Sequence, residues 1–192
     1  MFIKDWKKDL FTIPNFLSLF RLALIPVYLA IYGRATGPRD YFLAGAILAL
    51  SCLTDLIDGQ IARHFNMVSN VGKILDPVAD KFTQLALTIC LSLRYPVLRS
   101  VLLLFLLKET FQTLSMFLMY HQGKVLSGAI IPGKVCTTVL FSGFILLVLL
   151  PDPDHRIVNT VAMLDSVALL YAFLGYFLAY FGKDPKLHSI QE

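Results

Sequence analysis

The sequence predicts an all-α integral membrane protein with six transmembrane helices and a short N-terminal interfacial helix. Its 192 residues are 57% hydrophobic and only 16% charged, and the mean hydropathy is +0.69, which is too apolar for a soluble chain of this length. The apolar residues also fall into runs near the roughly 20 residues that a helix needs to cross a bilayer. These runs, some interrupted by polar groups, are 13–32, 41–63, 71–93, 97–119, 132–150 and 159–181.

The basic residues predict the orientation of the chain. With a cytoplasmic N-terminus, more lysines and arginines fall inside than outside, as the positive-inside rule requires. The residues expected inside are Lys4, Lys7, Lys8, Arg63, Lys73, Lys124, Lys134, Lys183 and Lys186. Those expected outside are Arg34, Arg39, Arg94, Arg99 and Arg156. Six crossings return the C-terminus to the cytoplasmic side.

The first ten residues, MFIKDWKKDL, predict a short helix on the membrane surface. Its lysines lie mostly off the apolar face, as in helices that bind anionic lipid. A solvated tail is the alternative. The residues of the apolar face are Phe2, Ile3, Trp6 and Leu10. The three cysteines, Cys52, Cys90 and Cys136, have no ligand-like spacing and are expected to be small core residues.

Two charged stretches, LTDLIDGQIARHF (53–65) and GKILDPVADK (72–81), interrupt the second and third apolar runs. Asp55 and Asp58 are spaced i, i+3, and Asp76 and Asp80 are spaced i, i+4, so each pair shares a helical face. In an antiparallel hairpin, Asp58 would face Asp76 roughly 9 Å from the turn, and Asp55 would face Asp80 roughly 15 Å from it. The spacing therefore predicts that four carboxylates converge near the cytoplasmic interface.

Such a cluster requires positive charge, because an ionised Asp at a helix centre costs roughly 2.5–3.5 kcal/mol and mutual repulsion adds to this. Carboxylate oxygens suit Mg²⁺ or a similar hard cation, and four of them can hold two ions. Two alternatives remain open. One is a structural cluster neutralised by Arg63, Lys73 and Lys81. The other is the ion pathway of a small cation transporter or channel.

The stretch DLIDGQIAR followed by GKILDPVAD resembles the signature of the CDP-alcohol phosphatidyltransferases, D-x-x-D-G-x-x-A-R and then G-x-x-x-D-x-x-x-D. The residues at its fixed positions are Asp55, Asp58, Gly59, Ala62, Arg63, Gly72, Asp76 and Asp80. The resemblance implies a single membrane domain over residues 1–192. It further implies transfer of a phosphatidyl group from CDP-diacylglycerol to an alcohol, with release of CMP.

The resemblance also implies a role for each motif residue. Asp55, Asp58 and Asp76 would bind Mg²⁺ or Mn²⁺, with two ions expected, and Asp80 would be a further ligand, the general base, or both. The residues implied to hold the nucleotide are Asp55, Gly59, Ala62, Arg63 and Gly72. Ion permeation has no use for a nucleotide pocket, which argues against the transporter alternative.

Other stretches resemble the phosphatidylglycerophosphate synthases of this family, namely IPNFLSLFRLALIP and IPGKVCTT. They imply glycerol 3-phosphate as the acceptor. The expected acceptor-binding residues are Arg21 and Lys134 of these stretches, and Lys108 of the stretch LLKETF, because a cation in or at the end of a membrane span is costly without a partner. Arg21 is alternatively a counter-ion for the aspartates, and Lys134 an interfacial lysine. Lys108 stands where an Arg is expected and lacks its bidentate fork. A cardiolipin synthase that uses phosphatidylglycerol is therefore the alternative enzyme.

The implied partners are CDP-diacylglycerol, an alcohol acceptor and the lipid bilayer, with no nucleic acid. A homodimer is left open. The implied location is the bacterial cytoplasmic membrane, with the active site facing the cytoplasm.

Overall fold

The computed structural model describes the backbone of residues 13–64, 72–126, 130–150, 152–182 and 187–189. The side chains described exclude 13, 14, 52, 53, 55–64, 72–74, 76, 125 and 187–189. The helices are α1 (Ile13–Gly33), α2 (Pro38–His64), α3 (Gly72–Arg94), α4 (Leu98–His121), α5 (Ile131–Leu149) and α6 (His155–Phe181). Two short strands, β1 (Lys124–Leu126) and β2 (Leu187–Ser189), complete the described elements.

Each of the six predicted apolar runs is a helix, which confirms the helical class. The largest differences lie at two N-termini, since α2 begins at Pro38 rather than at 41 and α6 at His155 rather than at 159. At α6 the cause is a cap, because Asp154 accepts a hydrogen bond from the backbone N–H of Arg156 at 3.1 Å. Apolar run length does not detect such a polar first turn.

Four helices of the described residues are long and apolar enough to cross a membrane, which confirms the membrane class. They are Asn15–Gly33 within α1, Leu98–His121, Ile131–Leu149 and His155–Phe181. The helices that carry the aspartates, α2 and α3, are not among these four, and several of their side chains lie outside the described set. The count of six crossings is not confirmed. The predicted interfacial helix and the turn between α2 and α3 also lie outside the described residues.

The chain divides into two compact units, of which the first comprises Met1–Cys90 and Val148–Pro151. Here α1 packs against α2 partly through tyrosines. The rings of Tyr28 and Tyr32 stack with centroids 5.5 Å apart, and Tyr32 meets Tyr41 edge-on at 5.7 Å. Cys90 is buried, as predicted.

The second unit comprises Leu91–Leu147 and Asp152–Glu192. Phe111 of α4 lies in a ring cluster on α6, with its centroid 4.7 Å from that of Phe173 and 6.1 Å from that of Phe177. Cys136 of α5 is buried, again as predicted, whereas the side chain of Cys52 lies outside the described set.

A two-stranded ribbon in the second unit departs from the all-helical expectation. Strands β1 and β2 pair antiparallel, with Lys124 opposite Ser189 and Leu126 opposite Leu187. Gly123, at φ +72°, turns the chain out of α4 in a left-handed conformation that an L-residue adopts less easily. The ribbon pairs two short strands that lie more than 60 positions apart in the sequence, so local patterning does not predict it.

Candidate functional site

The motif residues lie on two helices of the first unit. Asp55, Asp58, Gly59, Ala62 and Arg63 lie near the end of α2, which ends at His64. Gly72 is the first residue of α3, and Asp76 and Asp80 follow in its first turns. The backbone is therefore helical at every fixed position. Several motif side chains lie outside the described set, namely those of Asp55, Asp58, Ala62, Arg63 and Asp76. The convergence of the four carboxylates therefore stays a prediction.

The described part of the site centres on an ion pair between α1 and α3. An Nη1–H of Arg21 donates to Asp80 Oδ1. The Arg21 side chain is 2% exposed, whereas that of Asp80 is 46% exposed. Arg21 is thus a counter-ion of one motif aspartate, which was one of its two predicted roles.

This pairing has an electrostatic reason. A guanidinium inside an apolar helix bundle is costly unless an opposite charge lies beside it. Asp80 supplies that charge. A half-exposed carboxylate can accept a proton or bind a cation.

A small cavity marks where α1, α2 and α3 meet. It measures about 10 Å³, and its lining includes Leu24 of α1, Ser51 of α2 and Thr83 of α3. Leu24 lies about one turn after Arg21 on α1, and Thr83 lies about one turn after Asp80 on α3. Position 55 likewise lies one turn beyond Ser51. The cavity itself can hold at most about one water molecule, so it is not a substrate site.

Lys108 and Lys134 both belong to the second unit. Lys108 is 8% exposed, and its Nζ donates to Glu109 Oε1 at 2.6 Å. The same Nζ lies 5.3 Å from the ring centre of Tyr176, a cation–π distance. Lys108 is therefore a buried cation with partners of its own, whereas Lys134 is exposed in the first turn of α5.

Tyr176 is a residue that the sequence reasoning missed. It is 6% exposed, and a Cβ added at Gly133 would lie 2.5 Å from its hydroxyl oxygen. The glycine next to Lys134 thus makes room for Tyr176, which also contacts Lys108. The signal in the sequence was a tyrosine near the end of an apolar helix. The hydroxyl of a buried tyrosine needs a polar partner, so such a residue indicates a polar contact.

Asp165 in α6 is a second residue that was missed. It is 1% exposed, and neither carboxylate oxygen has a hydrogen-bond partner among the described residues. Gly143 of α5 lies opposite, where a Cβ would come within 3.2 Å of Asp165 Oδ1. The signal was an acidic residue inside the apolar run 159–181, which is costly in a membrane helix.

No group of three His, Cys, Asp or Glu side chains that could hold a metal occurs among the described residues. Three of the four motif aspartates are outside that set. The donor chemistry of the motif nevertheless fits a hard divalent cation, because all four side chains offer carboxylate oxygens and none offers sulfur or nitrogen.

A family model described as CDP-alcohol phosphatidyltransferase matches residues 11–173. The chain belongs to this family. Members are embedded in membranes, and their substrates are CDP-diacylglycerol and an alcohol acceptor. The match includes both motif helices, whereas Tyr176 lies beyond it.

Three relatives of this CDP-alcohol phosphatidyltransferase are informative. A cardiolipin synthase (CMP-forming) of Streptomyces coelicolor is 33% identical over 167 residues, covering 86% of this chain and 75% of the relative. A CDP-diacylglycerol–glycerol-3-phosphate 3-phosphatidyltransferase of Bacillus subtilis is 42% identical over 83 residues, covering 38% of this chain and 43% of the relative. A probable phosphatidylglycerophosphate synthase of Mycobacterium tuberculosis is 39% identical over 71 residues, covering 36% of this chain and 34% of the relative. The chain thus spans less than half of the latter two proteins.

Proposed function

We propose that this protein transfers the phosphatidyl group of CDP-diacylglycerol to glycerol 3-phosphate and releases CMP. The observation that carries the proposal is the complete aspartate motif on α2 and α3, in a chain that the family model matches over residues 11–173. The names of the Bacillus subtilis and Mycobacterium tuberculosis relatives support this acceptor.

In the proposed site, Asp55, Asp58 and Asp76 bind Mg²⁺ or Mn²⁺, with two ions held in all and Asp80 as a further ligand. The support is the donor set described above and the general dependence of the family on divalent metals. When bound, such ions would supply positive charge against the pyrophosphate of the donor.

The nucleotide would lie against α2 and the start of α3. Asp55, Gly59 and Ala62 follow one another along the last turns of α2, and Arg63 adds a fixed positive charge for the phosphates. Gly72 opens α3 and leaves room for close approach, because it has no side chain.

Asp80 is proposed as the general base that takes the proton of the acceptor hydroxyl. Its partial exposure supports access to the substrate. Its ion pair with Arg21 supports a fixed position for the carboxylate, which a general base requires.

The acceptor phosphate is a dianion and requires fixed cations. Arg21, Lys108 and Lys134 are the proposed acceptor-binding residues, with unequal roles. The exposure of Lys134 supports direct contact with the phosphate. Arg21 and Lys108 are each buried and paired with a carboxylate, which supports a weaker role for them than for Lys134.

We propose that residues 1–192 form a single domain with six crossings, in which α2 and α3 span the membrane together with the four apolar helices. Both ends and the active site would face the cytoplasm of a bacterial cell, as the distribution of lysine and arginine supports. Pairing of two copies through exposed apolar faces is compatible with this arrangement, although lipid covers such faces equally well.

Cardiolipin synthesis from phosphatidylglycerol is the second candidate reaction. The relative from Streptomyces coelicolor, which matches 86% of this chain, carries that name. The two reactions share donor, motif and leaving group, and they differ in whether the acceptor is a soluble dianion or a lipid.

The deciding experiment measures CMP release by the reconstituted protein from CDP-diacylglycerol with glycerol 3-phosphate, phosphatidylglycerol or serine as acceptor. Glycerol 3-phosphate should give the fastest release. Lys134→Ala should raise its KM roughly ten-fold, because a charge-assisted contact is worth about 1.5–3 kcal/mol. Arg99→Ala removes another exposed cation and should leave KM unchanged.

Faster release with phosphatidylglycerol, and indifference to glycerol 3-phosphate, would replace the proposed acceptor by that of a cardiolipin synthase. In the same assay a chelator should stop release and added Mg²⁺ should restore it. Activity that persists in chelator would contradict the metal assignment. The comparison of the three acceptors would still decide which acceptor the protein uses.

A further inference from the structure

Tyr176 of α6 lies where several elements of the second unit meet. It belongs to a buried cluster with Met119 of α4 and Tyr180 of α6. Leu126 of β1 and Ile130, the residue before α5, pack against the same cluster. The cluster therefore joins α4, β1 and α6 to the start of α5, the helix that carries Lys134.

The ring of Tyr176 holds the ammonium group of Lys108. The Nζ atom lies over the ring at 5.3 Å from its centre, where the face of an aromatic ring attracts a cation. Glu109 is a further partner, because its Oε1 accepts a hydrogen bond from the same Nζ. Lys108 is buried, so contacts within the protein rather than water set the direction of its side chain.

The hydroxyl edge of Tyr176 lies against the first turn of α5. A Cβ added at Gly133 would be 2.5 Å from the hydroxyl oxygen and 3.1 Å from Cζ of the ring, so the backbone of α5 is in close contact with the phenol. Lys134 is the next residue, and its backbone N–H donates to Ile130 O at 3.2 Å within the same turn. The position of the phenol thus limits the position of Lys134.

Packing around Tyr176 is incomplete in another direction. Tyr176 borders a cavity of about 550 Å³ that is also lined by Met119, Lys124 and Tyr180. Close packing holds a side chain only where neighbouring atoms touch it. The contacts with Lys108 and Gly133 therefore contribute to holding the ring in place, and a change in either gives the ring room to move.

The two lysines that Tyr176 connects lie on different helices. Lys108 belongs to α4 and Lys134 to α5, so neither helix alone determines the distance between the two cations. Tyr176, on a third helix, contacts Lys108 through its ring and the neighbour of Lys134 through its hydroxyl edge. It is the described side chain that links both.

We propose that Tyr176 is a positioning residue of the acceptor site, which directs the Lys108 ammonium with its ring and fixes Lys134 through Gly133. This inference rests on the proposed function, in which both lysines bind the acceptor phosphate. Tyr176 acts through the two cations and takes no part in the transfer itself. The phosphate can belong to glycerol 3-phosphate or to a lipid headgroup, and the test separates the two.

The test measures CMP release by the reconstituted full-length protein and separates KM for the acceptor from kcat. Tyr176→Leu should raise KM for glycerol 3-phosphate roughly ten-fold, the loss expected when a charge-assisted contact is displaced. The kcat and the equilibrium binding of CDP-diacylglycerol should stay unchanged, because only binding of the acceptor is weakened. Tyr176→Phe keeps the ring over Lys108 and should give a smaller rise.

Two comparisons separate positioning from general packing. Tyr171→Leu is the matched control, because Tyr171 is 50% exposed on the same helix and lies more than one turn before Tyr176; its KM should stay unchanged. Lys108→Met combined with Tyr176→Leu should raise KM by less than the product of the two single effects, since residues in contact are not additive.

A further variant keeps the proposal testable if Tyr176→Leu does not fold. Gly133→Ala displaces the phenol without removing it, so it should also raise KM for the acceptor. Adding Tyr176→Phe should recover part of that rise, because the hydroxyl is the atom nearest to the new Cβ.

An unchanged KM in both Tyr176→Leu and Gly133→Ala, or a loss of kcat at constant KM, would overturn the proposal and leave Tyr176 as a packing residue. An equal rise of KM in Tyr171→Leu would overturn it as well. If the unchanged protein uses phosphatidylglycerol instead of glycerol 3-phosphate, the proposed acceptor is wrong. The same variants then decide the role of Tyr176 through KM for phosphatidylglycerol. Absence of CMP release with every acceptor would refute both proposals.

Discussion

Arg21 shows at the residue scale how a membrane helix carries a charge. Its guanidinium is almost wholly buried and pairs with Asp80, 59 positions away in the sequence. Removing one member of such a pair leaves the other charge without compensation, which is the costlier state. The two residues should therefore behave as a unit in mutagenesis rather than as independent contributors.

Asp80→Asn should lower turnover by a factor of about 10²–10⁴, the usual contribution of a general base, while CDP-diacylglycerol still binds. Steady-state CMP release and equilibrium binding of the donor measure the two effects separately. Asp40→Asn is the control, because Asp40 lies at the start of α2, where it accepts hydrogen bonds from backbone N–H groups of Thr36 and Gly37. Near-normal turnover of Asp80→Asn would remove Asp80 from the base role, and loss of donor binding would make it a ligand only.

At the scale of elements, the start of α5 packs closely against α6 because a glycine lies at the contact. Gly133 faces the ring and hydroxyl of Tyr176, and Gly175 similarly faces Pro132. Close approach of this kind holds helices together in an apolar solvent, where burial of apolar surface gives little driving force. The contact also sets the position of Lys134, the neighbouring residue on α5.

Gly133→Ala should lower the stability of the protein by about 1–3 kcal/mol, the usual cost of overpacking, because its Cβ would meet the Tyr176 hydroxyl. Thermal unfolding in detergent measures the loss. Adding Tyr176→Phe should recover part of it, since the hydroxyl is the atom that the new Cβ approaches. Gly33→Ala, at a position where a Cβ would meet nothing within 4 Å, is the control. Equal destabilisation by Gly133→Ala and Gly33→Ala would refute the packing argument.

At the scale of the whole molecule, the proposed crossings make a prediction about sidedness. Helix α4 is among those apolar enough to span a membrane, and its ends carry exposed residues at Arg99 and Gln122. With a cytoplasmic N-terminus and α1, α2 and α3 all crossing, the Arg99 end lies outside and the Gln122 end inside. If neither α2 nor α3 crossed, the direction of α4 would be the same. If one of them crossed and the other did not, the direction of α4 would be reversed.

An impermeant maleimide should label Arg99→Cys in intact cells, and Gln122→Cys only after the membrane is opened. The native Cys90 and Cys136 are buried and should give little background. A third variant, Arg34→Cys in the connection between α1 and α2, should be labelled from outside as well. Labelling of Gln122→Cys in intact cells would invert the proposed orientation and place the motif helices on the wrong side for a cytoplasmic active site.

The sequence by itself determined the six helices and the family of this protein. The length of an apolar run is a local property, and so is the spacing of Asp55 to Asp80 along two consecutive helices. Burial of Cys90 and Cys136 followed from the same apolar context. The first turns of α2 and α6 were missed because polar caps, not apolar length, decide them.

Only the tertiary structure decided which distant side chains meet. It pairs Arg21 with Asp80, and it brings the Lys108 ammonium against the ring of Tyr176. It also buried Asp165 against α5 and formed the cavity beside Lys124. The physical reason is that a membrane helix is apolar on all sides, so its sequence lacks the polar and apolar faces that would indicate which side turns inward. Helix packing supplies that information, and with it the partners of buried charges such as Arg21 and Lys108.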